Sequence, residues 1–85
     1  MKDTKLITIK DERPSLEKVQ GLVGGLVQLI ELNNGDQMMV NEDGIMKDLP
    51  INDEATQIAM SQSNALMMGG ILGDVVILKG SARWI

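Results

Sequence analysis

The apolar and polar positions alternate most clearly in two places, and between them the period lengthens to that of a helix. Lys5 to Lys10 alternates and is β-branched at Ile7, Thr8 and Ile9, which predicts a first strand. Pro14-Ser15 then opens a short helix whose Leu16, Val19 and Val23 share one face, with Glu17 in the first turn where the helix dipole favours a carboxylate. Gly24-Gly25 ends it and permits a sharp reversal. Leu26 to Leu32 is the second strand, with Leu26, Gln28, Ile30 and Leu32 on one face and Val27, Leu29 and Glu31 on the other. Asn34-Gly35 follows, the dipeptide that accepts positive φ at both centres of a type I′ hairpin turn. Gln37 to Asn41 returns, Glu42-Asp43-Gly44-Ile45 signals a second hairpin, and Ile45 to Leu49 returns again.

Pro50 stops that strand, and Asn52 is placed to cap a helix whose first turn carries Asp53 and Glu54. Ala55, Ile58, Ala59 and Gln62 trace a small-residue face suited to lying close on a sheet. Ser61 to Gly70 fits either another helical turn or a loop. Leu72 to Lys79 is the last strand, apolar on both faces and therefore buried on both sides or seated in an interface. Ser81 to Ile85 reads as a tail. The expected fold is a single small α+β domain over residues 1–85, in the order β-α-β-β-β-α-β: an antiparallel meander with two short helices packed on the sheet.

Composition narrows the chemistry. The 85 residues include no His, Cys, Tyr or Phe, and Trp84 is the one aromatic residue. Imidazole bases, thiol nucleophiles, Cys/His zinc sites and disulfides are excluded, as are the stacking aromatics of most single-strand nucleic-acid binders. Twelve acidic against eight basic residues give a net charge of -4, with the basic residues dispersed, which argues against nucleic-acid binding through phosphate neutralisation. The apolar stretches Leu22 to Ile30 and Ala65 to Leu78 are short and glycine-broken, well under the roughly 20 residues that span a bilayer. No leader is visible at Met1-Lys2-Asp3, and the absent cysteines fit a reducing cytoplasm. A chain of this size buries only about 63% of its unfolded surface, so homo-oligomerisation is the expected reinforcement.

Several constellations invite a chemical reading, and each has a plain structural counterpart. Gly21-Leu22-Val23-Gly24-Gly25 is glycine-rich like a phosphate cradle, yet lacks the flanking pattern of one, and a helix-to-strand reversal explains it. Asn41-Glu42-Asp43 offers oxygen ligands for a hard cation, but a hairpin turn accounts for the same residues. Asp74 beside Gly73 marks a perturbed carboxylate or a cap on a backbone N–H at a bulge. Asn52, Ala55 and Thr56 lie where a helix start would offer N–H groups to an anion, or where Asn52 simply caps, with Lys47 and Arg83 as possible nearby cations. The methionines Met38, Met39, Met46, Met67 and Met68 fill a core poor in aromatics or form an adaptable surface. Met67, Met68, Trp84 and Ile85 sit in weakly patterned segments and are the interface candidates, Trp84 foremost.

Taken in order, Val23-Gly24-Gly25, Val40-Asn41-Glu42-Asp43-Gly44, Leu49-Pro50-Ile51-Asn52-Asp53-Glu54-Ala55 and Leu72-Gly73-Asp74-Val75 resemble a small domain of unknown function common in bacteriophage genomes. The likeness covers residues 14–80, leaving 81–85 as the tail. Leu26 stands where that family often carries an aromatic residue, and Gln28 where it often carries an acidic one. The resemblance implies a phage or prophage origin and a location in the host cytoplasm.

The expected function is that of a non-enzymatic, phage-type accessory protein acting through a host or phage protein or through self-assembly, with no cofactor and no metal. Alternatives are a module binding a small nucleotide-like anion near Gly24, Asn41, Asn52 and Asp74, and a carboxylate-based metal-dependent hydrolase.

Overall fold

The structure, a computed structural model, describes residues 4–62 and 70–84. Its elements run β1 (Leu6–Ile9), α1 (Leu16–Val23), β2 (Val27–Glu31), β3 (Gln37–Asn41), α2 (Asp53–Gln62) and β4 (Val75–Leu78), followed by a 3-10 turn at Gly80–Ala82. The four strands form one sheet in the order β1-β4-β3-β2. β1 runs parallel to β4, while β4 with β3 and β3 with β2 are antiparallel. The architecture is α+β, as the periodicity implies, but the sheet is mixed rather than an antiparallel meander.

The difference has one cause. The meander needed Ile45–Leu49 beside β3, but both edges of β3 are taken, one by β2 and the other by β4. Residues 42–48 instead coil on themselves: Lys47 N–H donates to the Asp43 carbonyl at 3.0 Å, Asp48 to Ile45 at 3.1 Å and Leu49 to Gly44 at 3.0 Å. Gly44 does not take positive φ, so Asp43-Gly44 is no hairpin turn; its missing side chain lets Leu72 pack close, since a Cβ there would lie 3.1 Å from the Leu72 Cβ. The β2–β3 hairpin also departs from a type I′ turn. Its loop holds three residues, Asn33 to Gly35, closed by Leu32 N–H to the Asp36 carbonyl at 2.9 Å and Gly35 N–H to the Leu32 carbonyl at 3.0 Å. Only Gly35 in it has positive φ, 94°. This is the form with a single left-handed glycine, in which Asn34 contributes through its side chain by accepting from Asp36 N–H at 3.0 Å.

β4 is buried at all four positions. Val75 and Ile77 face Met38, Val40, Ala55, Ala59 and Ile71. Val76 and Leu78 face Val19, Val23, Met39 and Ala82 on the other side. The two helices thus cover opposite faces of the sheet, with the strand parity of β3 and β4 deciding which methionine each receives. Ser15 caps α1 by accepting from Lys18 N–H at 3.1 Å, and Gly24 ends it in the left-handed region at φ 87°. Val19 and Val23 are buried as the periodicity requires, whereas Leu16 is exposed.

Residues 81–84 are folded onto the body rather than trailing from it. Trp84 packs against the α1-side core and donates from Nε1 to the Pro14 carbonyl at 3.1 Å. Its backbone pairs with the buried Gln37 side chain, which accepts from Trp84 N–H at 2.6 Å and donates back to the Trp84 carbonyl. Ser81 Oγ donates to the Asp11 carbonyl at 2.8 Å and Arg13 Nε to the Arg83 carbonyl at 2.9 Å, while Arg83 Nη1 reaches Gly35 at 2.9 Å. Lys79 pairs with Asp36. The C-terminal segment therefore clasps both the β1–α1 loop and the hairpin tip. We expect Trp84→Ala to lower unfolding free energy by about 2 kcal/mol, a half-buried ring being removed, and Trp84→Phe by about 1 kcal/mol through the lost Nε1 bond. Urea denaturation followed by circular dichroism measures both, and equal stability of the three chains would refute the clasp.

Candidate functional site

The glycine and amide signals of the sequence fall on the ends of the secondary elements, where backbone groups lack partners. Asn41, the last residue of β3, is buried and donates from Nδ2 to the Val23 carbonyl at 3.1 Å, meeting the C-terminus of α1. Its Oδ1 accepts from Asp43 N–H at 2.8 Å and starts the coil at 42–48. Lys47 returns from that coil and donates from Nζ to the Gly24 carbonyl at 3.1 Å, putting a cation where the helix dipole is negative. Gly25 makes room for both: a Cβ there would lie 3.2 Å from Asn41 Nδ2 and closer still to Lys47 Nζ. Val-Gly-Gly and Asn-Glu-Asp-Gly are thus two halves of one helix terminus.

Asn52 is the second such residue. Its Oδ1 accepts from Ala55 N–H at 3.1 Å, capping α2, while Nδ2 donates to the Lys5 carbonyl at 3.0 Å and the Gly73 carbonyl at 2.9 Å. One buried amide joins the start of α2 to the approaches of β1 and β4. Asp74 completes the junction by accepting from Lys5 N–H at 2.9 Å, so it caps the entry to β1. Gly73 takes φ 82° and a Cβ there would press on Leu49. Thr56 Oγ1 donates to the Asn52 carbonyl at 2.8 Å and accepts from Ile71 N–H at 2.9 Å, which ties α2 to the chain entering β4. The helix start that the sequence offered to an anion has Ala55 N–H and Thr56 N–H already bonded to Asn52.

The four candidate ligand residues therefore form two pairs, Gly24 with Asn41 and Asn52 with Asp74. Gly24 and Asp74 border one open hollow of about 530 Å³, together with Thr4, Leu49 and Gly73. Asn41 lines a separate one of about 270 Å³ with Gln28, Ile30 and Leu72. Asn52 borders neither. Among the described residues Asp74 is the one ionisable side chain lining the larger hollow, so a nucleotide-like anion would meet a carboxylate there. Arg83 is engaged at the hairpin tip through Gly35. Among the described residues no three His, Cys, Asp or Glu side chains are grouped to hold a metal ion.

Met67, Met68 and Ile85 lie outside the described residues. Trp84 is spent largely inside the chain, on Pro14 and Gln37. Gln37 carries no motif that marks it, and nothing short of the pairing of β3 with the C-terminal segment would have identified it.

The roles of Asn52 separate by substitution. Asn52→Ala removes a helix cap and leaves two carbonyls without their donor, an expected loss of about 3 kcal/mol, whereas Asn52→Asp keeps the cap and loses about 2 kcal/mol. Equal losses in urea titrations of the two variants would show that the cap contributes nothing, and an Asn52→Asp chain as stable as the parent would show the same of the donor bonds to Lys5 and Gly73.

Among the described residues no helix is long and apolar enough to cross a membrane. No curated protein and no solved structure matches the chain. A family model does, over residues 1–83, and the domain belongs to the family it defines, described as a domain of unknown function (DUF3846).

Proposed function

We propose that this domain is a non-enzymatic accessory protein, of the kind its bacteriophage-like motifs suggest, which acts in the host cytoplasm by contact with a host or phage protein or by self-assembly. The residues with the best claim to chemistry support this reading, because Asn41 and Asn52 spend both ends of their side-chain amides on backbone groups and Asp74 spends Oδ1 on Lys5 N–H. An assigned catalytic or ligand-holding role would need those atoms turned outward.

The observation that carries the reading is the apolar tip of the 42–48 coil. Ile45 and Met46 are 80% and 87% exposed, on a coil held by its own backbone bonds and by Lys47 at Gly24. A pair of large aliphatic side chains is cheap to desolvate against a partner, each contributing about 1.5–3 kcal/mol when fully covered. Methionine adds the adaptability typical of a surface that must fit another protein.

The double variant Ile45→Ser/Met46→Ser is expected to keep its melting temperature within about 2 °C, because neither side chain contributes to the core. The same variant, immobilised, should fail to retain proteins that the parent chain recovers from host extract. Identical recovery by both chains would remove the coil tip from any interaction role.

A further inference from the structure

The outer edge of β2 is built to pair with itself. Among the described residues β3 is the one neighbour of β2 in the sheet. The direction of its backbone groups follows from two bonds: Glu42 N–H donates to the Leu26 carbonyl at 2.8 Å and Leu32 N–H to the Asp36 carbonyl at 2.9 Å. Both pairs lie in the register that sets Val27 against Asn41 and Leu29 against Met39. Alternation along an antiparallel ladder then turns the N–H and C=O of Leu26, Gln28, Ile30 and Leu32 toward β3. Those of Val27, Leu29 and Glu31 point out of the sheet.

The two edges of this sheet are protected unequally. β1, at the other edge, is bracketed by Lys5 and Lys10, and lysine on an edge strand is a common guard against pairing. β2 reads Val-Gln-Leu-Ile-Glu, with no lysine, proline or glycine, and its side chain at the centre, Leu29, is 38% exposed. Such an edge is a ready template for another strand.

We infer that the occupant is a second copy of this chain, paired antiparallel through β2 about a two-fold axis at Leu29. In that register Leu29 lies opposite the partner's Leu29, and Val27 opposite the partner's Glu31, so every outward backbone group of the strand finds its complement. Shifting the axis to Gln28 or Ile30 would leave one of the three outward residues without a partner in the strand. Charge favours the same arrangement. Glu31 ends the strand, whereas Lys47 is anchored on the Gly24 carbonyl just before it begins. Antiparallel pairing brings acidic end to basic end in both halves of the seam, while parallel pairing would set Glu31 beside the partner's Glu31. The result is a closed, isologous dimer with one continuous eight-stranded sheet. The inference rests on the interaction reading above and names its partner, through a surface distinct from the coil tip.

Charge reversal at the axis tests it. The full chain is expected to sediment as a dimer. Leu29→Lys and Leu29→Glu each place like charges face to face and should weaken the dimer by about 100-fold while circular dichroism stays unchanged. An equimolar mixture of the two variants should recover a 1:1 heterodimer, an outcome that mere structural damage at position 29 cannot give. Thr8→Lys on β1 should leave the dimer intact. A monomeric parent chain, a dimer indifferent to both variants, or a mixture that fails to pair would each overturn the β2 seam. None of these would touch the coil-tip reading, which stands or falls with the Ile45→Ser/Met46→Ser chain.

Discussion

Everything in this domain follows from the need to cover β4 on four sides. A strand whose Val75, Val76, Ile77 and Leu78 are all buried requires a helix against each face and a strand along each edge. α1 and α2 take the faces, and β1 and β3 the edges. β4 runs parallel to β1, so the segment that leaves β4 runs beside the chain that leaves β1. The Lys79 N–H to Ile9 carbonyl bond, at 2.9 Å, is where the two ends first meet. Trp84, Ser81 and Arg83 extend that meeting to the loop before α1. The single aromatic residue is thus used to lock the last element to the second.

The sequence was legible wherever a local pattern decides the structure. Strand alternation placed β1 and β2, the Asn34-Gly35 turn placed the return strand β3, Pro14-Ser15, Asn52 and the Gly24 stop placed the helices, and the unbroken apolar run of 75–78 announced β4 with burial on both faces. It was illegible where two segments compete for one position. Ile45–Leu49 has strand-like neighbours, yet the slot beside β3 goes to β4, which begins at Val75, far later in the chain. Nothing local to Ile45 records that competition. The exposure of Ile45 and Met46 is its consequence, in a segment whose sequence reads as a strand.

The candidate site residues show the same division. Asn52 as a cap and Asp74 as a partner for a strand-end N–H follow from residue type and position. That Asn52 also holds the Lys5 and Gly73 carbonyls does not, since those groups come from distant parts of the chain. Yet the double duty gives these motif-like residues a structural role. In a sheet with few turns and no disulfide, each change of direction exposes backbone groups that water cannot reach, and an unpaired buried carbonyl costs about 1–3 kcal/mol. A small domain meets that cost with a few Asn and Asp side chains at fixed places, and Gly24, Gly25 and Gly73 give those side chains room.

Such a framework constrains where function can reside. Substituting the motif residues would loosen the frame, so a trait under separate selection is better carried by positions the frame does not use. Those positions are the solvent side of the 42–48 coil and the outward side of β2. Leu26 and Gln28 both lie at or beside that strand. Leu26 is exposed, and its backbone carbonyl is tied to Glu42, so its side chain varies without disturbing the ladder. Gln28 shares with Leu26 the face of the sheet opposite Leu29, and its backbone also points inward to β3. Both side chains can therefore vary while every bond that holds β4 stays in place.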